Sequence, residues 1–342
     1  MLEFRQDALT KEWVIISTER GSRPHDFSKE SGNANVSTGG RDAASPSPPQ
    51  GCPFCPGNEA KTPGAVMVYP DEATGGPWQV RVIPNKFPAV DPTLRPVRQL
   101  NGLNRRMPGF GFHEVVIESR DHFTHPALMT DAEVVSLIRV YRSRYNALIH
   151  HPGIELVTIF RNHGESAGTS LAHPHSQIVA TPIIPYWLRH KILQTMTYFD
   201  DTGRCIFCDI IDQERAMNDR MIAESNDFVV LVPFAARKPY EILIIPRRHD
   251  ASFGNMTDTE VSALGTVLRD TLRRLYYRLN NPDYNLIVHS APYQEDPADY
   301  YHWRIRIIPR LTRAAGFEMG SGIYINPTSP EECARQLREI RT

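Results

Sequence analysis

Glu114-Val-Val-Ile-Glu-Ser-Arg-Asp-His122 and Glu241-Ile-Leu-Ile-Ile-Pro-Arg-Arg-His249 are the two stretches on which the fold turns. Each is a run of aliphatic, β-branched residues, the composition of a buried strand, and each ends in a histidine eight residues after its glutamate. Nine residues beyond each histidine stands an aspartate, Asp131 or Asp258, preceded by Thr130 or Thr257 and followed by Glu133 or Glu260. Threonine with an acidic first turn is a helix start. Val134, Leu137, Ile138, Tyr141, Tyr145 and Leu148 then fall at helical spacing and predict a helix over 131–148. Val261, Leu264, Leu268, Leu272, Leu275 and Leu279 do the same over 257–279. Each helix leads into a second strand-like run, 154–160 and 284–289.

Moving outward, the parallel continues. Upstream of each stretch lie a Cys-x-x-Cys, Cys52–Cys55 and Cys205–Cys208, and an Asn-x-Phe, Asn85-Lys-Phe87 and Asn226-Asp-Phe228. Downstream, His173 follows His122 by 51 residues and His302 follows His249 by 53. One order of features therefore occurs twice, the mark of an internal repeat. It predicts an α+β protein of two similar halves, 1–181 and 182–342. Their strands are expected in one extended, mainly antiparallel sheet with the helices packed on one face. The linker is placed around 182–201. Residues 28–51, rich in Ser, Gly, Pro, Asn and Ala and poor in large apolar side chains, read as a surface loop.

The 342 residues are long enough to bury a core without disulfide staples, and 41% hydrophobic against 23% charged is a globular balance that excludes wholesale disorder. Thirty-eight basic residues against 39 acidic ones leave a net charge of −1, so no polybasic face is implied and no nucleic-acid partner is expected. The opening MLEFRQDALTKEWVII has no charged n-region followed by a long apolar stretch, and no run approaches the ~20 residues of a membrane span. The expectation is a cytoplasmic protein, with no membrane partner, whose cysteine pairs mean metal rather than disulfide.

Two thiolates and two imidazoles make a closed tetrahedral set suited to structural zinc. The repeat selects Cys52, Cys55, His122 and His173 for one site and Cys205, Cys208, His249 and His302 for the other. The cysteine pairs lie 153 residues apart, far beyond the ~15–20 residues of a zinc ribbon. The competing reading is reduced, buried or redox-active thiols. His113 and His125 compete with His122 as ligands, but only His122 has a counterpart in the repeat. Cys333 is expected to be a packing residue on a final helix.

Asn162-His-Gly-Glu-Ser-Ala-Gly168-Thr-Ser170-Leu-Ala-His173-Pro-His175-Ser-Gln177 carries the chemistry. Gly164, Gly168 and Ser170 suit a phosphate-facing loop. A strand after it would turn His173, His175 and Gln177 to one side. Taken bare, His-x-His on a strand more often means metal or packing. Beside a glycine-rich loop and a metal ligand, an imidazole can attack phosphorus and form a covalent intermediate. Gln177 hydrogen-bonds but cannot supply a proton as an acid does, which favours a good leaving group over water-driven turnover.

This segment resembles the signature of the galactose-1-phosphate uridylyltransferase family of the histidine-triad superfamily. The similarity extends to Glu19-Arg20-Gly-Ser-Arg23-Pro, CPFC, Asn85-Lys-Phe87 and Gly316-Phe-Glu318-Met. The resemblance implies two histidine-triad-like halves and a homodimer acting on nucleotide-sugar and hexose 1-phosphate substrates. By it, His175 is the nucleotidylated nucleophile and Gln177 steadies the phosphoryl group. Asn85, Asn162, Gly168, Thr169 and Ser170 hold the nucleotide and its phosphates, Arg20 and Arg23 reach the substrate across a dimer interface, and Phe317 with Glu318 faces the hexose. The second half has His302-Trp-Arg304 in place of His173-Pro-His175, so one active site per chain is implied. The first expectation is UMP exchange between UDP-glucose and galactose 1-phosphate by double displacement. The stretches 316–327 and 109–119 also look like the plant ADP-glucose phosphorylase branch, which makes ADP-glucose with inorganic phosphate the alternative. A zinc-stabilised nucleotide-binding protein without turnover is the reading from another class.

Overall fold

Thr130 and Thr257 cap the two long helices in the same way. Each hydroxyl accepts from the N–H of Glu133 or Glu260, and each glutamate reaches back to the threonine N–H at 2.8 Å. The computed structural model describes residues 1–22, 51–70, 76–293 and 299–341, so Arg23 and all but Gly51 of the expected loop lie outside the described residues. The first half contains strands β1 (Leu2–Gln6), β2 (Trp13–Ser17), β3 (Met67–Tyr69), β4 (Val80–Pro84), β5 (Gln99–Asn101), β6 (Asn104–Arg106) and β7 (Phe112–Ile117). Helix α1 (Asp131–Ile149) and strands β8 (Leu156–His163) and β9 (His175–Thr181) complete it. Helices α2 (Tyr186–Thr202) and α3 (Ile206–Met217) follow, then β10 (Met221–Glu224), β11 (Phe228–Leu231) and β12 (Ile242–Pro246). The chain ends with α4 (Asp258–Leu279), β13 (Tyr284–His289), β14 (Arg304–Pro309), α5 (Gly316–Ser321), β15 (Tyr324–Asn326) and α6 (Pro330–Arg338).

Ten strands form one sheet in the order β10-β11-β12-β14-β13-β8-β9-β7-β4-β3, with every neighbouring pair antiparallel. From the central β13–β8 pair outward the order is the same on both sides, so the sequence repeat is a repeat of topology. The registers correct one detail. Val115 lies opposite Gln177, and Leu243 lies opposite Arg306. The strand counterpart of Glu241 is therefore His113, not Glu114. A slip of one residue changes the face: Glu114 turns to Arg144 of α1 at 2.5 Å, whereas Glu241 turns to Arg306 at 2.7 Å.

Helices α1 and α4 pack side by side on one face, where Val116, Leu137, Ile138, Ile178, Leu264, Leu268 and Ile305 share one core. Burying each large aliphatic side chain there is worth roughly 1.5–3 kcal/mol. The expectation of helices on one face only is too simple. In the second half, Phe207 and Ile211 of α3 pack on Val229, Leu231 and Ile245 on the opposite face. The segment expected to be a linker is largely the 17-residue α2, stopped by Gly203 in the left-handed conformation. The opening hairpin β1–β2 pairs with β15, and Arg5 joins Glu331 of α6 at 2.7 Å, so the N-terminal residues are packed with the second half. Cys333 is fully buried on α6, as expected. Among the described residues no helix is long and apolar enough to cross a membrane.

Candidate active site and metal centres

His175 opens β9 opposite Ile117, on the face of the first half away from α1. Its Nδ1 donates to the His173 carbonyl at 2.9 Å. In the neutral ring the lone pair is then on Nε2. The edge of Phe54 lies against the ring, with centroids 5.5 Å apart, and burial pushes the imidazole below its ordinary pKa. The residue is thus fixed in rotation, fixed in tautomer and held neutral.

Asn162, Gly164, Thr169, Ser170, His173 and His175 line one cavity of about 340 Å³. Its rim is the loop from β8 to β9, and the second half holds that loop. Asp283 accepts from the Ser166 N–H at 2.7 Å and from its hydroxyl at 2.6 Å. Gly164 has φ +82°, and a Cβ there would sit 1.7 Å from an Asp283 carboxylate oxygen, so only glycine fits. Asn285 of β13 donates to Asn162 Oδ1 at 2.8 Å and to the Ala167 carbonyl at 2.9 Å. Among the described residues the amide N–H groups of Asn162 make no hydrogen bond, and Asn162 lines the cavity. Gly168, at φ +91°, turns the loop beside that amide.

Gln177 follows on the same face. His113 accepts from the Ala89 N–H through Nδ1 at 3.1 Å, so its proton sits on Nε2, which donates to Gln177 Oε1 at 2.7 Å. The Gln177 amide is thereby turned with its N–H groups away from His113. Asn85 stands 3.0 Å from the same Nε2. His113 is thus no metal ligand but the residue that orients Gln177. Its place two residues before Val115 on the neighbouring strand was the available signal, and it needed the register to be read. His125 is buried against His163 and Tyr276, outside the metal cluster.

Both expected metal sets come together, each with four ligand atoms within 4.8 Å of one another. In the first, Nδ1 of His122 and of His173 are 3.3 Å apart, and Cys55 Sγ is 3.4 and 3.5 Å from them. Tetrahedral zinc, with bonds of about 2.3 Å to sulfur and 2.0 Å to nitrogen, sets such separations at roughly 3.3–3.6 Å. His173 Nε2 donates to the Ser119 carbonyl at 2.9 Å, and His302 Nε2 donates to the Pro246 carbonyl at 2.8 Å. Each hydrogen bond turns the other ring nitrogen to the cluster, the usual support of a ligating imidazole. In the second set Cys208 Sγ lies 3.4 Å from His249 Nδ1.

The remaining expected site residues lie elsewhere. Arg20 is exposed on the turn Thr18–Ser22, and Phe317 is exposed on α5. Glu318 caps α5 by accepting from the Ala315 N–H at 3.0 Å. None of the three lines the His175 cavity. Three residues that the motif reading passed over do matter to it: Phe54, Asp283 and Asn285.

Residues 1–185 match the profile of the galactose-1-phosphate uridyl transferase N-terminal domain, and 191–322 that of its C-terminal domain. An ADP-glucose phosphorylase of Arabidopsis thaliana is 36% identical, over 99% of this chain and 93% of that protein. A galactose-1-phosphate uridylyltransferase of Thermotoga maritima is 29% identical, over 99% of this chain and 98% of that protein. Among solved structures, an Arabidopsis thaliana ADP-glucose phosphorylase with bound ADP-glucose superposes with a TM-score of 0.83 at 34% identity, covering 100% of both chains.

Proposed function

Because the chain belongs to the galactose-1-phosphate uridylyltransferase family, we propose that it transfers a nucleotidyl group from a nucleotide sugar to a phosphate acceptor through a covalent intermediate on His175. The observation that carries this reading is the His175 ring, tied through Nδ1 to the His173 carbonyl at the wall of the loop cavity. Nε2 attacks the α-phosphorus, the bond to the bridging oxygen breaks, and the sugar 1-phosphate departs as a dianion that needs no acid. The acceptor oxygen then attacks the same phosphorus and releases neutral His175. Gln177 donates an N–H to the phosphoryl oxygen as charge builds there. Asn85, Asn162, Gly168, Thr169 and Ser170 hold the nucleotide and its phosphates.

For the substrate we favour ADP-glucose with inorganic phosphate as acceptor. The support is the 36% identity to the ADP-glucose phosphorylase, against 29% to the uridylyltransferase, and the full-length superposition on the structure with bound ADP-glucose. UMP exchange between UDP-glucose and galactose 1-phosphate is the second reading, favoured by the family profiles and by that whole-length relative. Arg20, Arg23, Phe317 and Glu318 are assigned to the sugar end of the substrate. The two arginines are supplied across a homodimer interface, in keeping with Arg20 not lining the cavity of its own chain. Cys52, Cys55, His122 and His173, and Cys205, Cys208, His249 and His302, hold structural zinc, whose chemistry here is to cross-link the chain. A reducing cytoplasm suits the thiols.

The test is to mix the protein with ADP-glucose or with UDP-glucose, without acceptor, and measure intact mass. An adenylyl adduct supports the first reading and a uridylyl adduct the second. A protein that turns over either sugar nucleotide without an adduct would sink the covalent scheme.

A further inference from the structure

The second half keeps the frame of the catalytic half and changes its chemistry. Arg304 stands in the place of His175, and its Nη1 donates to the His302 carbonyl at 3.0 Å, as His175 donates to His173. Arg306 stands in the place of Gln177, held by Glu241 at 2.7 Å as Gln177 is held by His113. Phe207 underlies the Arg304 guanidinium at 4.3 Å, where Phe54 flanks His175. These residues bound a separate cavity of about 150 Å³, closed over by the turn from Asp7 to Thr10, with Lys191 of α2 and His289 of β13 on its wall.

Two of the cations lining this cavity, Arg304 and Lys191, have no ion-pair partner among the described residues, although the carboxylates of Asp7, Glu214 and Glu241 line it too. Arg306 is neutralised by Glu241. The Asp7 carboxylate keeps its charge, its Oδ1 accepting from the Leu9 N–H at 3.0 Å, the Thr10 N–H at 2.6 Å and the Thr10 hydroxyl at 3.0 Å, and Glu214 on the same wall is paired with Arg220 at 2.9 Å. Arg304 is 3% exposed and, among the described residues, has no carboxylate partner. Lys191 has none among them either, and lies over the Trp187 ring at 5.2 Å. Burial beside Arg304 and Arg306 pushes the Lys191 ammonium down to about 7, and burial holds His289 well below its ordinary range. A buried guanidinium without an ion-pair partner of its own is unfavourable until an anion enters. A guanidinium fork with an ammonium beside it matches the oxygens of a phosphate.

We propose that this cavity is a non-catalytic binding site for a small phosphate dianion, either inorganic phosphate or the phosphate end of a phosphate monoester, with Arg304 and Lys191 as its cationic contacts. Arg304 has no lone pair to attack phosphorus, so the site holds its ligand without bond exchange. The proposal stands apart from the reading of His175 and survives its failure.

The experiment uses the full-length, metal-loaded chain at fixed ionic strength, titrated by calorimetry with inorganic phosphate and, separately, with glucose 1-phosphate. Trp187 emission serves as the local reporter, because that ring lies against both Lys191 and His289. The expected result is saturable binding with an emission change that persists in His175→Ala and disappears in Trp187→Phe. Lys191→Gln and Arg304→Gln should each weaken binding at least tenfold, with far-UV circular dichroism unchanged. If Arg304→Gln does not fold, Lys191→Gln decides, since its side chain is not in the buried core. Saturation by inorganic phosphate identifies the free ion as ligand, and saturation by glucose 1-phosphate alone identifies the monoester. No saturable binding of either, or binding as tight in Lys191→Gln as in the parent, overturns the proposal.

Discussion

Only one nitrogen of His175 is left to react once the other has met the His173 carbonyl. His175→Ala should therefore give no mass adduct and lose activity by about 10⁴-fold or more, while far-UV circular dichroism and metal content stay unchanged because His173 is intact. Gln177→His is the complementary change. An imidazolium can protonate a leaving group, whereas an amide only hydrogen-bonds, so this variant should lose transfer and gain slow release of nucleotide to water. A variant transferring at the parent rate without hydrolysis would remove the reason for reading a transferase. The pH dependence has a defined sign. Burial lowers the His175 pKa, so the neutral, attacking form persists below the ordinary histidine value of 6.5. Adduct formation should be flat near neutrality and fall only as pH drops through that lowered value. An acid limb centred above 6.5 in rapid-quench measurements would contradict it.

At the scale of elements, the two repeat helices meet closely at Gly265. A Cβ there would lie 2.5 Å from Val135 Cγ2 and 2.9 Å from the Val135 Cα and N, two of them backbone atoms that cannot rotate away. Gly265→Ala should destabilise the fold by about 1–3 kcal/mol through overpacking, despite the better helix propensity of alanine, and thermal melting checks it. Both helices were legible from the chain because capping threonines and heptad-like leucines are local signals. The slip between β7 and β12 was not legible. Glu-Val-Val-Ile and Glu-Ile-Leu-Ile look alike in either register, and only the ladder decides which residue faces Gln177 or Arg306. Helix α2 was missed although Leu188, Ile192 and Thr195 stand at helical spacing, because the repeat made the segment look like a joint. The two Cys–His clusters and the loop before His175 were readable from spacing and residue type. Phe54, His113, Asp283 and Asn285 act by position in space, and nothing local distinguishes them.

Across the whole molecule, the second half helps to build the cavity beside His175 in the first. The loop rim of the His175 cavity is fastened by Asp283 and Asn285, the one just before β13 and the other on it, across the central strand pair. Asp283→Ala should lower kcat/KM for the nucleotide sugar by roughly 10–100-fold, because a displaced positioning group costs that much without any loss of chemistry. Metal content should stay at parent level, and a variant with parent kinetics would show that the fastening is incidental. The same central pair has a consequence for any attempt to divide the protein. The outer margins of the sheet are blunt: β3 has three residues, and β10 has four with an irregular register. The inner margin, β8, is eight residues long and meets β13 without interruption over Phe160 to His163. A fragment ending at residue 181 would lay that long row of backbone donors and acceptors open to solvent, a template for strand addition. Light scattering should find it self-associated rather than monomeric, each copy standing in for the partner from which it was cut.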